Sequence, residues 1–115
     1  MAAEVLATGG AQVVLAEAMP TPARKFLMAG KSGLNLTKDE PFPEFAAQIA
    51  LGGVADACLN KQQAILSGFG PAEVQDWARS LGVDLFTGST GWVFPREMKG
   101  SPLLRAWLAR LRDAG

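Results

Sequence analysis

The spacing of apolar residues changes several times along the chain, and each change marks an element. Ala2, Ala3, Val5, Leu6 and Ala7 form a short apolar cluster that predicts a helix from Ala2 to Thr8, stopped by Gly9-Gly10. Directly after it, Gln12-Val13-Val14-Leu15-Ala16 is a five-residue run with adjacent β-branched residues, closed by Glu17. Such a run predicts a strand buried on both faces, as in a parallel sheet covered by helices. Helix, glycine turn and buried strand together look like the second half of a βαβ unit.

From residue 18 to residue 43 the pattern breaks up. Pro20, Pro22, Gly30, Gly33, Pro41 and Pro43 punctuate the stretch, and only Arg24 to Met28 offers a helical turn. So long an irregular segment inside a compact domain is usually functional. Helical spacing returns over residues 45–51 and 55–66, separated by Gly52-Gly53. Pro71 then opens a better-signalled helix in which Val74, Trp77, Ala78 and Leu81 recur on one face, and Gly82 stops it. Residues 83–87 and 91–94 read as two short strands around Gly88-Ser89-Thr90-Gly91, a hairpin. Ser101-Pro102 is expected to cap a last helix, with Leu103, Leu104, Trp107, Leu108 and Leu111 in one apolar stripe. Trp77 and Trp107 are expected in the core, and Arg105, Arg110 and Arg112 facing elsewhere.

Composition narrows the chemistry. The 115 residues suit one small domain, and 49% hydrophobic with 19% charged residues is an ordinary globular balance. Eleven basic and eleven acidic residues cancel, so no global field favours nucleic acid or an anionic membrane. There is no histidine, which removes the commonest metal ligand and any Ser-His-Asp or Cys-His unit within the chain. Cys58 is the only cysteine, so an intrachain disulfide and a cysteine-based metal cluster are both out of reach. It is expected to be an inert buried thiol in a reducing cytoplasm. Asp39 and Glu40, before Pro41, are expected to shape the loop. The start lacks a signal-peptide pattern, and no apolar run approaches the roughly 18 residues of a membrane helix.

The N-terminal pattern carries the first functional hint. Dinucleotide-binding units run GxGxxG, then three residues, then a small residue, and on through a helix to a strand that ends in an acid. The glycines admit the pyrophosphate and the acid binds a ribose hydroxyl pair. Ala3, Leu6, Gly10, Val13, Leu15 and Glu17 fall at the downstream positions of this pattern. Extrapolated backwards, its last glycine falls two residues before Met1, so the phosphate-binding turn is expected to lie outside the chain. From spacing alone, a generic amphipathic helix and strand fits equally well.

Three longer blocks add a resemblance. Arg24-Lys25-Phe26-Leu27-Met28-Ala29-Gly30-Lys31-Ser32-Gly33-Leu34-Asn35-Leu36-Thr37 resembles the GRKFLMAGxGGLNLT block of the BaiN-like NAD(P)/FAD-dependent oxidoreductases, often labelled NAD(FAD)-utilising dehydrogenases. Phe86-Thr87-Gly88-Ser89-Thr90-Gly91-Trp92-Val93-Phe94-Pro95 resembles their FxGSSGRVFP block. Residues 98–108, Met98 to Leu108, resemble their MKASPLLRAWL helix. The blocks stand in the family's order and span most of the chain.

The resemblance implies an α/β fold: part of a Rossmann-like FAD-binding domain over residues 1–115. It would lack its first strand and phosphate-binding turn, and carry a helix-rich remainder and a short β-hairpin. Residues 18–43 would be the cofactor-facing loop. By the same resemblance Glu17 would grip the adenosine ribose and Arg24 and Lys25 would lie along the cofactor. Gly30, Ser32 and Gly33 would approach the flavin or pyrophosphate by backbone, with Asn35 and Thr37 holding the loop. FAD is the implied cofactor and NAD(P)H the implied reductant, with an unknown acceptor. The implied partner is the remainder of the flavoprotein, and an open sheet edge would favour self-association. No catalytic residue is assigned. Two departures stand out: Ala23 where the block has glycine, and Trp92 where it has arginine. The competing expectations are a small helical protein-interaction module and a non-functional truncated product.

Overall fold

The computed structural model describes residues 1–29, 32–50 and 56–114, with side-chain surroundings at all of these but 50 and 56–60. The described elements are helices α1 (Ala2–Thr8), α2 (Arg24–Ala29), α3 (Phe42–Ala50), α4 (Asp56–Leu66), α5 (Pro71–Ser80) and α6 (Gly100–Asp113), with strands β1 (Thr37–Lys38), β2 (Leu85–Thr87) and β3 (Trp92–Pro95). They form two compact units, one of Met1–Leu34 with Met98–Gly115, the other of Asn35–Glu97.

In the first unit α6 is the centre. Its apolar stripe buries Leu103 completely and Leu104 nearly so, and both α1 and α2 pack against it. The helix starts at Gly100, with Lys99 as N-cap and no side-chain capping bond, so the expected cap at Ser101 is not formed. Pro102 instead sits in the first turn, where a missing N–H removes no helical bond. Gly100 is buried, and a methyl there would lie 3.3 Å from Cε1 of Phe26 and 3.7 Å from Cδ2 of Leu34.

As predicted, α1 stops at the glycine pair, through a double bond pattern. Gly10 N–H donates to the carbonyl of Ala7 (2.9 Å) and Ala11 N–H to that of Leu6 (3.0 Å), the Schellman closure. A polar tie joins α1 to α6. Trp107 Nε1 donates to Oε2 of Glu4 (2.8 Å), and Arg110 Nη1 donates to its Oε1 (3.1 Å). Trp107 is half-buried rather than in the core, its indole N–H turned to a carboxylate, and Arg110 engages the same carboxylate.

The predicted strand over residues 12–16 does not form. Among the described residues no segment pairs with it, and Val14 is 88% exposed and Leu15 65%. The physical reason is that a strand is a paired object: an apolar run supplies faces to bury, but the ladder needs neighbours on its edges. Val13 and Leu15 instead line a shallow apolar groove of about 400 Å³ with Ala3, Ala7, Leu108 and Leu111.

The second unit holds the sheet, in the order β1-β3-β2 with both pairings antiparallel. The expected hairpin is present. Gly88 N–H donates to the carbonyl of Trp92 (2.8 Å) and Gly91 N–H to that of Gly88 (3.0 Å). Alternation along β3 buries Val93 and Pro95 and sends Trp92 and Phe94 to the other face, where Phe94 stacks on its register partner Phe86 at 5.5 Å. Helix α5 packs on β1 and β2 and ends as predicted. Gly82, at φ +78°, donates its N–H to Arg79, and Val83 N–H reaches Ala78. At its start, Glu73 accepts the N–H of Gly70 at 2.9 Å, the reciprocal half of a capping box.

Strand β1 escapes the sequence pattern because it is two residues long. It extends through Leu36 N–H to Val93 (3.0 Å) and Asp39 N–H to Gly91 (2.8 Å). Asp39 and Glu40 do shape this segment. Asp39 accepts from Gln75 (3.3 Å) and Thr87 (3.5 Å), while Glu40 accepts from Lys38 and Gln48, both at 2.9 Å. Helix α3 starts at Phe42 rather than residue 45, since Pro43 fits a first turn. The Gly52-Gly53 break lies outside the described residues, as does the side chain of Cys58.

The Glu4 tie is expected to matter for the first unit. Glu4→Ala removes both acceptor oxygens and leaves Trp107 and Arg110 without that partner. Its stability is expected to fall by about 1–3 kcal/mol, measured by denaturant titration.

Candidate functional site

Of the eight nominated residues seven are described, and five of these belong to the first unit. Glu17 follows the apolar segment and is exposed, and its Oε1 accepts the N–H of Met19 at 3.0 Å, which fixes the turn into Pro20. Arg24 and Lys25 are the first two residues of α2 and both are exposed. Ser32 is exposed and Gly33 half-buried. Gly30 lies outside the described residues. Asn35 and Thr37 belong to the second unit, where Asn35 is exposed and Thr37 pairs with Val93 in β1. The role of Thr37 there is sheet pairing.

The backbone at the entry to α2 is informative. Ala23, the residue standing in for the block's glycine, adopts φ +57°. Left-handed backbone places the Cβ of an alanine against its own carbonyl and costs about 1 kcal/mol or more. The carbonyl of Ala23 accepts the N–H of Leu27 at 3.2 Å, so this strained residue also starts the helix. The chain holds a conformation that glycine adopts freely, in spite of the substitution.

Gly33 has its own local cause. Its φ is +132°, and a methyl there would lie 2.7 Å from Cε of Met98. The positive φ is what favours glycine here, and the tip of the Met98 side chain lies over the face a side chain would take. Met98 is 39% exposed and is also left-handed, at φ +57°. Sequence reasoning quoted Met98 only as part of a block, and nothing in composition or spacing singles it out. Glu4 was missed altogether, since a lone acid in an apolar helix reads as surface. Trp92, the second departure, is 42% exposed and stands across from Lys38 on β1.

The apolar groove of the first unit is lined by none of the nominated residues. Small-molecule sites combine apolar walls with a few convergent polar groups, and this groove offers only Arg112. Among the described residues no cluster of His, Cys, Asp or Glu is arranged to hold a metal, and no helix is long and apolar enough to cross a membrane.

The chain is mixed α/β, with an acid after an apolar segment and a helix, α2, entered through left-handed backbone at Ala23. The full length, residues 1–115, matches the family described as the HI0933-like protein Rossmann domain. The chain belongs to that family, one of FAD-binding oxidoreductases. No curated protein matches it.

The strain at residue 23 predicts a gain on relief. Ala23→Gly is expected to stabilise the first unit by up to about 1 kcal/mol, the relief of left-handed alanine being partly offset by the freer unfolded chain. A denaturant midpoint at or below that of the unmodified chain would contradict it.

Proposed function

We propose that the chain supplies the adenosine-ribose and loop contacts of an FAD site in a BaiN-like flavoprotein oxidoreductase, with a nicotinamide cofactor as reductant. Glu17 binds the ribose hydroxyls and Arg24 and Lys25 face the diphosphate, the chemistry a carboxylate and two cations suit. Gly30, Ser32 and Gly33 offer backbone N–H groups, and Asn35 supports the loop from its other end. The isoalloxazine carries out the redox step, and the residues named here bind and orient.

One observation carries this reading. Ala23 keeps a glycine-type backbone at the head of the Arg24–Ala29 block, so the loop's path is held where its sequence departs from the resemblance. The electron acceptor is not specified by these residues.

Glu17, Arg24, Lys25 and Ser32 are all exposed, and affinity needs a surplus over the ordering of such groups. The purified chain is therefore expected to come without bound flavin, and a visible spectrum showing near one flavin per chain would refute this. In fluorescence titrations FAD is expected to bind more tightly than FMN, because only FAD offers the adenosine ribose. Glu17→Ala should weaken FAD by about tenfold, roughly 1.4 kcal/mol, and leave FMN unchanged. Equal loss for both flavins removes Glu17 from the site.

A second reading, an interaction surface, is favoured by one feature. Val14 and Leu15 expose a contiguous apolar pair on a segment with unpaired backbone, which suits strand pairing with a second copy of the chain. Residues 11–16 carry no charge, and the chain's net charge is zero, so two copies do not repel. Light scattering after size exclusion is expected to show self-association that Val14→Lys abolishes. A monodisperse monomer would end this reading.

A further inference from the structure

We infer that Met98 is a positioning residue for the glycine-rich loop, holding Gly33 in its left-handed conformation by filling the space where a side chain would be. This rests on the proposed cofactor role of that loop. The observations are local and mutually consistent. A methyl at Gly33 would lie 2.7 Å from Cε of Met98, so the terminal methyl of Met98 occupies that face of the glycine. Gly33 sits at φ +132°, where side chains are rarely found, and Leu34 beside it is 5% exposed and anchored in the core. Two residues beyond Met98, Gly100 receives Leu34 and Phe26 against its backbone. The two corners, residues 33–34 and 98–100, therefore close on each other through one long side chain and one missing side chain.

Met98 reaches Gly33 from a left-handed backbone of its own, at φ +57°. A methionine there brings an unbranched side chain whose end adapts to an irregular gap. With one face of Gly33 filled by protein, a ligand meets the turn only from the opposite side. Met98 thereby selects which face of the loop is available, although it is not itself nominated to touch a cofactor.

The test separates this from the FAD reading by using the chain without flavin. In Met98→Ala, amide hydrogen exchange at Ser32 and Gly33 is expected to quicken about tenfold, with exchange in α5 unchanged. Met98→Leu, which conserves volume, is expected to restore most of the protection. Unchanged exchange at Gly33 in Met98→Ala overturns the inference, as does equal loosening of α5, which would mark a general loss of stability. A parallel FAD titration reads the other half. Loosened exchange with unaltered FAD affinity would remove Gly33 from the cofactor site while leaving the Met98 contact as the device that holds it.

Discussion

Because Gly100 has no side chain, the ring of Phe26 and a methyl of Leu34 come down onto the first turn of α6, and the core of the first unit grows from that approach. Leu103 and Leu104, one turn later, complete it. Phe26 of α2 and Leu34 both meet α6 here, so how closely α2 approaches α6 decides where these two residues sit. A helix start that accommodated a side chain at residue 100 would push Phe26 and Leu34 outward together.

So small an apolar core leaves room for polar ties to matter. The Glu4 carboxylate is shared between an indole N–H and a guanidinium, with only 14% of the Glu4 side chain exposed. A partly buried carboxylate must be hydrogen-bonded to be tolerated, and two donors to its two oxygens meet that requirement. The second unit uses the same device in a different form. Glu40, 6% exposed at its side chain, is held by Lys38 and Gln48, and Asp39 links Gln75 of α5 to Thr87 of β2. In both units short elements with few buried side chains are joined by carboxylates that each engage two partners.

Where local chemistry determines structure, the sequence was legible. Gly9-Gly10, Gly82 and the Gly88–Gly91 turn end or reverse elements by backbone rules that need no distant partner, and they stand where expected. Asp39 and Glu40 were correctly expected to shape their loop. What could not be read depends on remote residues. Two-residue β1 exists only because β3 lies beside it, and the cap of α6 shifted because packing at Gly100, not Ser101, sets where the helix begins. Of the site, the sequence pointed to the loop and its charged residues. It placed Gly33 along the cofactor or in an ordinary turn and did not foresee that the tip of Met98, distant in the chain, lies against it.

The contrast between residues 12–16 and residue 23 shows two ways in which sequence and structure part company. In the first, the local signal is strong and the outcome differs. Val13, Val14 and Leu15 have every propensity for a strand, yet propensity in sheets mostly records packing against neighbours, and with no paired edge the run stays unpaired and exposed. In the second, the local signal is adverse and the outcome survives. Alanine disfavours φ +57°, yet Ala23 holds it, because the contacts of Phe26 and Leu34 with Gly100 of α6 fix where α2 must start. Propensity is worth about 1 kcal/mol at such a position, and the contacts of a half-buried ring and a buried leucine together are worth more. Tertiary contact decides both cases: its absence leaves a good strand former unformed, and its presence holds a poor left-handed residue in place at the threshold of the loop proposed to receive the cofactor.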